Sequence, residues 1–457
     1  MALLDPSAGA PAPVTSALGF KTSNLDKYMR LSVEGYKSIA SRQELNFDGL
    51  TILSGANSSG KSSFMQPFLI LKQTIENHYD SGTLILYGEN AKLTDSAQII
   101  SKVPGYNKKS FSVSMVNDNH NCTASYKYKR GVGIQVDTIR MSSEKIPDGL
   151  TLKVGMKSEH IEKMVPGEDF SFIKKFYEDK ELKPKWRAIR EKCCISAELS
   201  IDGKECLPIK AGIEPTHNLE NFITRLIHVP GLRGNPERTY KIAASEDVYP
   251  GSFEKYVAGI ISDWARLVKY KSKYDILKEQ LFELGLASNI KASKVDDTSV
   301  EIQVSRNKSG SETDCVNIAD VGFGVSQTIP VLVALIGAKK GQFVYIEQPE
   351  LHLHPKAQFK MASIIVSAIN RGVRVIIETH SSILIRGIQL AVVKKQLDYK
   401  KVSLNWFTQN SESGETDVAK SGLDERGAFG DWPEDFDDTS LTAEQMYLDA
   451  VEESFCE

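Results

Sequence analysis

Residues 54–63 read SGANSSGKSS, a short stretch rich in glycine and serine with a lysine near its end. Gly55, Gly60, Lys61 and Ser62 have the spacing G-x-x-x-x-G-K-[ST], in which a glycine-rich loop points its backbone N–H groups at phosphates. Lys61 would reach the β- and γ-phosphates of ATP, and Ser62 would place its hydroxyl on Mg²⁺. The other candidate contacts of this loop are Asn57, Ser58, Ser59 and Ser63.

The segments beside this loop provide the context that the motif requires. Residues 49–55, GLTILSG, form a short apolar run that ends in glycine, which is typical of a strand. The following residues predict a helix with one apolar face, because apolar side chains recur at steps of four, three and four: Phe64, Phe68, Leu71 and Ile75. A strand, a glycine-rich loop and a helix in this order favour a phosphate cradle over a simple polar turn.

Composition indicates a soluble globular protein. The chain has 457 residues, 41% of them hydrophobic and 25% charged, enough for two to four domain-sized units. No apolar run approaches the ~20 residues of a membrane-spanning helix, so no membrane partner is expected. The six cysteines show no CxxC pair, and residues 1–26 look like a flexible leader without the basic start of a signal peptide. A cytoplasmic location follows as the expectation.

Charge is distributed unevenly along the chain. Residues 411–457 contain 15 Asp or Glu and two Lys or Arg, a net charge of −13, so the remainder carries +10. A basic body with an acidic tail suits a contact with DNA or docking of the tail onto a basic partner. A solvated tail without a partner is the plain alternative.

The pattern of apolar residues predicts an α/β protein with an antiparallel subdomain. Residues 29–47 alternate in two runs typical of an antiparallel pair, and strand-like runs recur at 110–117 and 124–141. The charged stretch 169–193 is predicted to be helical, and 252–286 one or two long helices. Near the C-terminus the pattern is strand, helix, strand, which predicts a parallel core, at 341–350, 356–372 and 373–382.

Three further stretches carry candidate functional residues. The strand VYIE ends at Glu347, an acid placed to hold Mg²⁺ beside the phosphate loop. Residues 320–337, DVGFGVSQTIPVLVALIG, predict an apolar helix capped by Ser326 whose free N–H groups bind an anion, with Gly324 and Gln327 beside it. His380 follows another strand, where it would hydrogen-bond a γ-phosphate.

Together these motifs resemble the ABC-type ATPase heads of the overcoming-lysogenization-defect-like (OLD-like) family, also called AAA15, which are related to RecF, Rad50 and SMC proteins. FGVSQ is similar to their signature motif and PELHLHP to the segment after their Walker B strand. Residues 227–240, including Arg233, and 424–436 also resemble segments of this family.

The resemblance implies an ABC-type P-loop head built as an α/β fold, with a mixed-sheet core, an antiparallel β subdomain and a helical or mixed insertion. It implies a homodimer or higher homo-oligomer in which two heads clamp ATP, each site taking its loop from one copy and Ser326 from the other. The expected divisions are leader 1–26, N-terminal head 27–105, insertion 106–310, C-terminal head 311–410 and acidic tail 411–457.

One residue departs from the pattern of these heads. Gln348 stands where they usually have a glutamate that orients the attacking water, and an amide cannot accept a proton. Either Glu350 supplies the carboxylate, or hydrolysis is slow and ATP acts mainly as a clamp. With Glu347 and His380, these two residues complete the candidate catalytic set.

The expected biological role follows from the resemblance alone. The chain shows neither a Toprim arrangement nor an HNH zinc pattern, so a nuclease would be a separate effector, with an HNH-type enzyme as the expectation. The chain resembles the ATPase subunit of Septu-type anti-phage defence systems, which would regulate that effector. The alternative is a DNA-repair ATPase of the RecF or SMC kind that clamps DNA.

Overall fold

The computed structural model describes residues 29–118, 120–165, 184–201, 212–243, 247–305, 314–430, 445–449 and 451. In chain order, its strands are β1 (Met29–Glu34), β2 (Gln43–Asn46), β3 (Leu50–Gly55), β4 (Ser110–Asn117), β5 (His120–Lys129), β6 (Gly133–Ser143), β7 (Ile146–Leu152), β8 (Pro184–Glu191), β9 (Cys194–Ile201), β10 (Gly212–Ile213), β11 (Ile227–Val229), β12 (Tyr240–Lys241), β13 (Asn289–Lys294), β14 (Ser299–Ser305), β15 (Cys315–Asn317), β16 (Phe343–Glu347), β17 (Arg374–Glu378), β18 (Val402–Gln409) and β19 (Thr416–Gly422). The helices are α1 (Lys61–Glu76), α2 (Ser158–Met164), α3 (His217–Arg225), α4 (Glu254–Arg266), α5 (Lys271–Glu283), α6 (Phe323–Gly337), α7 (Pro355–Asn370) and α8 (Ser382–Val393).

The central sheet has the strand order β11-β16-β17-β3-β18-β19. All neighbours pair in parallel except β19, which is antiparallel to β18. The carboxyl ends of β16, β17 and β3 therefore meet at one edge of the sheet. Ligands bind at this edge in open α/β sheets. The expected α/β class and mixed sheet are confirmed.

Three antiparallel sheets surround the central one. β2-β1-β4-β5-β6-β7 form a six-stranded sheet, β10-β9-β8 a smaller one, and β12-β14-β13 with β15 another. The predicted pair within 29–47 is the β1–β2 hairpin, in which Arg30 lies opposite Asn46. These sheets confirm the expected antiparallel component of the fold.

The central sheet is buried on both faces. Successive strand residues point to opposite faces, so Leu53 and Tyr345 pack with α1 in one core, whereas Ile52 and Ile346 pack with α6 in the other. Within α1, Phe64, Phe68 and Leu71 are buried, as the helical pattern predicts. Packing on both faces holds the central sheet in place. The glycine-rich loop that follows β3 lies at the carboxyl edge of this sheet.

Two expectations about the chain outside the core need correction. The stretch 169–193 was expected to be helical, but residues 184–191 form β8, because Trp186 is buried while its exposed neighbours are charged; 169–183 lie outside the described residues. The expected tail 411–457 contains β19, so residues 416–422 belong to the central sheet. The leader 1–26 and residues 431–436 of the stretch 424–436 also lie outside the described part of the chain.

β19 supports the glycine-rich loop at residues 55–60 directly. The buried Thr416 hydroxyl lies 2.8 Å from the Ser38 hydroxyl and donates to the backbone oxygen of Ser59 at 2.9 Å. A Cβ on Gly60 would lie 2.4 Å from the same hydroxyl. The loop is thus held between β1–β2 and the last strand of the sheet.

Replacing Thr416 with valine should loosen this support. Valine has nearly the same shape but no hydroxyl, and leaving a buried partner unsatisfied costs about 1–3 kcal/mol. We expect a lower midpoint of urea unfolding and weaker ATP binding. Thr408→Val, at an exposed position of β18, is the matched control. Equal stability and equal ATP affinity of Thr416→Val and the wild type would contradict this role.

Candidate functional site

The glycine-rich loop at residues 55–60 joins β3 to α1, as the spacing predicts. Lys61 is the first residue of α1, and its side chain is buried inside the loop. Its Nζ donates to the backbone oxygens of Gly55 at 3.0 Å and Ala56 at 2.6 Å. Burial lowers the pKa of Lys61, while the carboxylate of Glu378 acts in the opposite direction. The loop therefore encloses a cation at the positive end of a helix, where anions bind.

Two glycines permit the close turn of the loop. Gly55 has a φ of +140°, and a Cβ there would lie 2.1 Å from the backbone oxygen of Phe407. Gly60 precedes α1 with a φ of +101°. Neither position tolerates a side chain, so the glycine spacing of the motif reflects contact with β18 and β19.

The remaining loop residues differ in exposure. Asn57 and Ser58 are exposed, Ser63 is partly buried, and Ser59 is buried. The Ser59 hydroxyl has no hydrogen-bond partner among the described residues. A buried hydroxyl without a partner in a native fold needs an explanation, and a phosphate oxygen in the loop would supply one.

The Ser62 hydroxyl faces a carboxylate that the sequence analysis did not single out. Its Oγ donates to Glu378, lying 2.8 Å from Oε1 and 3.1 Å from Oε2. Glu378 is the last residue of β17, only 7% exposed, and its Oε2 also accepts from the hydroxyl of Tyr345 at 3.0 Å. Burial raises the pKa of Glu378, and the charge of Glu347 adds to this effect.

Glu347, the predicted metal ligand, lies one strand further from the loop. Its Oε1 is 3.1 Å from Nε2 of His228, and its Oε2 accepts from the backbone N–H of Gly231 at 3.0 Å. Burial alone would raise the pKa of Glu347, but His228 and the Gly231 N–H outweigh it and lower that pKa. Glu347 thus holds the loop after β11.

Gln348 and Glu350 lie in the turn after β16. Gln348 has a φ of +47°, unusual for a residue with a side chain, and its N–H donates to the backbone oxygen of Glu378 at 2.7 Å. Oε1 of Glu350 accepts from the Thr379 hydroxyl at 2.8 Å and from the His380 N–H at 3.1 Å. Its Oε2 is buried without a hydrogen-bond partner among the described residues, and burial raises the pKa of Glu350.

His380 lies at the carboxyl edge of the sheet, as predicted. It follows β17 and is exposed. Burial of part of the ring and the charge of Lys61 lower the pKa of His380. A neutral imidazole near Lys61 can donate or accept a hydrogen bond at this edge.

The signature helix begins earlier than predicted. α6 starts at Phe323 with Gly322 as its N-cap, so Ser326 is the fourth helical residue and does not cap the helix. Its Oγ donates to the backbone oxygen of Phe323 at 3.1 Å, and the residue is half-buried. The backbone of Phe323, and not Ser326, forms the helix start because Gly322 has the extended backbone that an N-cap requires.

The other two signature residues contact their own chain. The buried Gln327 side chain donates to the backbone oxygens of Gly234 at 3.2 Å and Arg233 at 3.5 Å. Gln327 is therefore engaged inside the chain and does not face a nucleotide here. A Cβ on Gly324 would lie 3.1 Å from the backbone oxygen of His352, so glycine allows α6 to approach the turn after β16.

Arg233 connects the signature helix to the turn after β16. Its Nη1 donates to the backbone oxygen of Gln327 at 3.1 Å and its Nη2 to that of Glu347 at 2.8 Å. Burial lowers the pKa of Arg233 to about 10, although the charges of Glu254, Glu347 and Glu350 oppose this shift. Arg233 therefore links α6 to the end of β16 through hydrogen bonds to both.

The site contains residues that suit the Mg²⁺ implied by the family resemblance. Mg²⁺ prefers oxygen ligands and is usually held by one or two carboxylates together with substrate phosphates. Ser62 and the buried carboxylate of Glu378 provide such oxygens beside Lys61. Among the described residues no group of three or more His, Cys, Asp and Glu is placed to hold a metal ion.

Comparison with solved structures finds heads of SMC proteins at low identity. An Smc head bound to the C-winged helix domain of ScpA is 12% identical over 87% of this chain and 99% of that chain, with a TM-score of 0.43. The SMC head domain from Thermotoga maritima is 10% identical over 86% and 98%, with a TM-score of 0.35. An Smc head domain with an extended coiled coil, bound to the C-terminal domain of ScpA derived from Pyrococcus furiosus, is 12% identical over 86% and 96%, at 0.41.

Comparison with known sequences gives one family match. No curated protein matches the chain in sequence. Within the described residues no helix is long and apolar enough to cross a membrane. Residues 252–385, which include α6, Glu347 and His380 but not the phosphate-binding loop, match the family model AAA_15, described as an AAA ATPase domain.

Proposed function

We propose that the chain binds ATP with Mg²⁺ at residues 55–62 and hydrolyses it. One observation carries this proposal: the loop between β3 and α1 encloses Lys61 and places Ser62 against a buried carboxylate at the carboxyl edge of a parallel sheet. The match of residues 252–385 to an AAA ATPase domain supports it independently, because that match excludes the loop.

The side chains at the sheet edge have distinct tasks in this reaction. Lys61 leaves the backbone oxygens of Gly55 and Ala56 to contact the phosphates, which are stronger acceptors. Glu350 has a free buried oxygen and accepts the proton of the attacking water, which Gln348 can only orient. Bound Mg²⁺ supplies positive charge that neutralises the phosphate oxygens.

We further propose that two or more copies close around ATP. Ser326 is half-buried on α6 and its hydroxyl donates only to the backbone oxygen of Phe323 at the protein surface, whereas its neighbour Gln327 is buried, so Ser326 is the signature side chain better placed to contact another copy. Phe323, 54% exposed at the start of the same helix, adds an apolar contact surface. Arg233 hydrogen-bonds to both α6 and the end of β16, so a shift of α6 when a second copy contacts Ser326 would also move the end of β16.

The biological proposal is regulation of a separate nuclease, expected to be of the HNH type, in bacterial anti-phage defence. The resemblance to Septu-type ATPase subunits and the contrast between an acidic C-terminal region and a basic body support it. Co-purification with the product of a neighbouring nuclease gene would support this role. Tight DNA binding without such a partner would favour the repair alternative.

Replacing Ser326 with arginine should prevent closure. A long cation at the exposed start of α6 would crowd the second copy but leave the loop of its own copy intact. We expect ATP and Mg²⁺ to increase the mass of the wild-type assembly in native mass spectrometry, and Ser326→Arg to bind ATP without this increase.

Ser81→Arg is the matched control, since Ser81 is exposed beyond the far end of α1, about 24 Å along that helix from the loop. It should assemble like the wild type. ATP-dependent assembly of Ser326→Arg at wild-type concentrations would show that the composite site is wrong.

A further inference from the structure

We infer that Glu378, and not Glu347, is the carboxylate that holds the divalent cation of the bound nucleotide together with Ser62. This inference rests on the proposed ATP binding and adds a metal-holding residue to it. Glu347 ends the strand before QPELHLHP and is the acid that the sequence motif indicates, but the geometry assigns the position beside the loop to the end of the next strand in the chain.

The order of strands is the first argument. β17 lies directly beside β3, whereas β16 lies one strand further away. Neighbouring strands are about 4.8 Å apart, so the backbone at Glu378 is about one strand spacing from the strand that leads into the loop, and Glu347 is about two. The two residues are at the same level along the strands, because Glu347 pairs with Glu378 in the β16–β17 register.

The contacts of Ser62 are the second argument. In P-loop NTPases the Ser or Thr of the loop and an acid at the end of a strand of the same sheet hold the same Mg²⁺. Here the Ser62 hydroxyl lies within hydrogen-bond distance of both carboxylate oxygens of Glu378, at 2.8 and 3.1 Å. The Tyr345 hydroxyl fixes Oε2 from the other side. The carboxylate of Glu378 therefore already faces the Ser62 hydroxyl, and the two groups would hold the cation together.

The contacts of Glu347 are the third argument. Both of its oxygens are used within the chain, by Nε2 of His228 and the N–H of Gly231. His228 is itself held by Asn90, 3.3 Å from its Nδ1, and stacks on Tyr345 with ring centroids 5.2 Å apart. Turning Glu347 toward the loop would break these contacts, so its role is to hold the segment that carries Arg233.

The test compares two identical substitutions at adjacent strand ends, Glu378→Gln and Glu347→Gln. The measurement is the affinity for a non-hydrolysable ATP analogue by calorimetry, with EDTA and with Mg²⁺. Binding of Mn²⁺ in the analogue complex, read by electron paramagnetic resonance, reports the metal directly. Folding of each variant is checked by thermal unfolding.

We expect Mg²⁺ to tighten binding of the analogue to the wild type. Glu378→Gln should lose this gain and weaken Mn²⁺ binding by about 10- to 100-fold, while its affinity in EDTA stays close to that of the wild type. Glu347→Gln should keep the Mg²⁺ dependence. Glu378→Asp should keep part of the Mg²⁺ dependence, because a carboxylate remains. The comparison of Glu378→Gln with Glu378→Asp therefore tests the inference even if Glu347→Gln does not fold.

Two results would overturn the inference. If Glu378→Gln keeps the full Mg²⁺ dependence and the Mn²⁺ signal, Glu378 is not a metal-holding residue. If Glu347→Gln alone loses them, the metal belongs to the acid that the motif indicates. A wild-type chain that binds no analogue in either buffer would instead overturn the proposed function, and the inference with it.

Discussion

Replacing Lys61 with alanine should reduce ATP affinity about 100-fold or more. Charge-assisted hydrogen bonds contribute about 1.5–3 kcal/mol each, and Lys61 would make two of them to the β- and γ-phosphates. Loss of both corresponds to a change of two to four orders of magnitude in the dissociation constant. Nζ of Lys61 already lies inside the loop, where it donates to the backbone oxygens of Gly55 and Ala56. Alanine would leave this position without a cation.

Calorimetry with ATP and Mg²⁺ measures this effect. Lys340→Ala is the matched control, because Lys340 is exposed and precedes β16 at the opposite edge of the sheet from the loop. It should bind ATP like the wild type. If the Lys61→Ala protein is folded and binds ATP with wild-type affinity, residues 55–62 do not form the phosphate site.

Replacing Glu350 with glutamine should abolish turnover and spare ATP binding. The amide keeps the size of the side chain and can still accept from the Thr379 hydroxyl and the His380 N–H, but it cannot take a proton. General-base catalysis contributes about 10²- to 10⁴-fold, and we expect a loss of this size. Burial raises the pKa of Glu350, which makes its carboxylate a better proton acceptor than an exposed one.

Gln348→Glu tests the neighbouring position of the same turn. Gln348 occupies the place where ABC-type heads usually have the base, so a carboxylate there should raise the rate. The wild type is expected to turn over about once per minute or less, below the ~1–10³ s⁻¹ of typical enzymes. Phosphate release and ATP affinity are measured for each variant. Wild-type turnover in Glu350→Gln would show that another group accepts the proton.

Three strands of the central sheet, β3, β16 and β17, could be predicted because they are short apolar runs with clear ends. The residues before Lys61 form a short apolar run that ends in glycine, the residues after it repeat with a helical period of 3.6, and the structure has β3 and α1 there. Residues 184–191 were missed for a physical reason: their many charges suggested a solvated helix, but Trp186 is buried and its exposed neighbours alternate with it. The many charges of this segment suggested a helix, whereas the alternation of buried and exposed residues is typical of a strand.

The part of the site that sequence reasoning missed depends on strand order. VYIE and VIIE are both apolar runs ending in glutamate, and nothing local in the sequence says which one lies beside β3. The repeated pattern was a usable signal for Glu378. His228 and Thr416 gave weaker signals, because their contacts with Glu347 and Ser59 join segments more than 100 residues apart.

ATP hydrolysis by the purified wild-type chain is the direct test of the proposed ATPase activity. Enzyme in excess of ATP, with Mg²⁺, is followed for phosphate release, and the Lys61→Ala protein serves as the blank. We expect slow but complete conversion of ATP to ADP and phosphate by the wild type and none above background by Lys61→Ala. Equal phosphate release by the two proteins, or no release by a wild type that is folded and assembled, would contradict it.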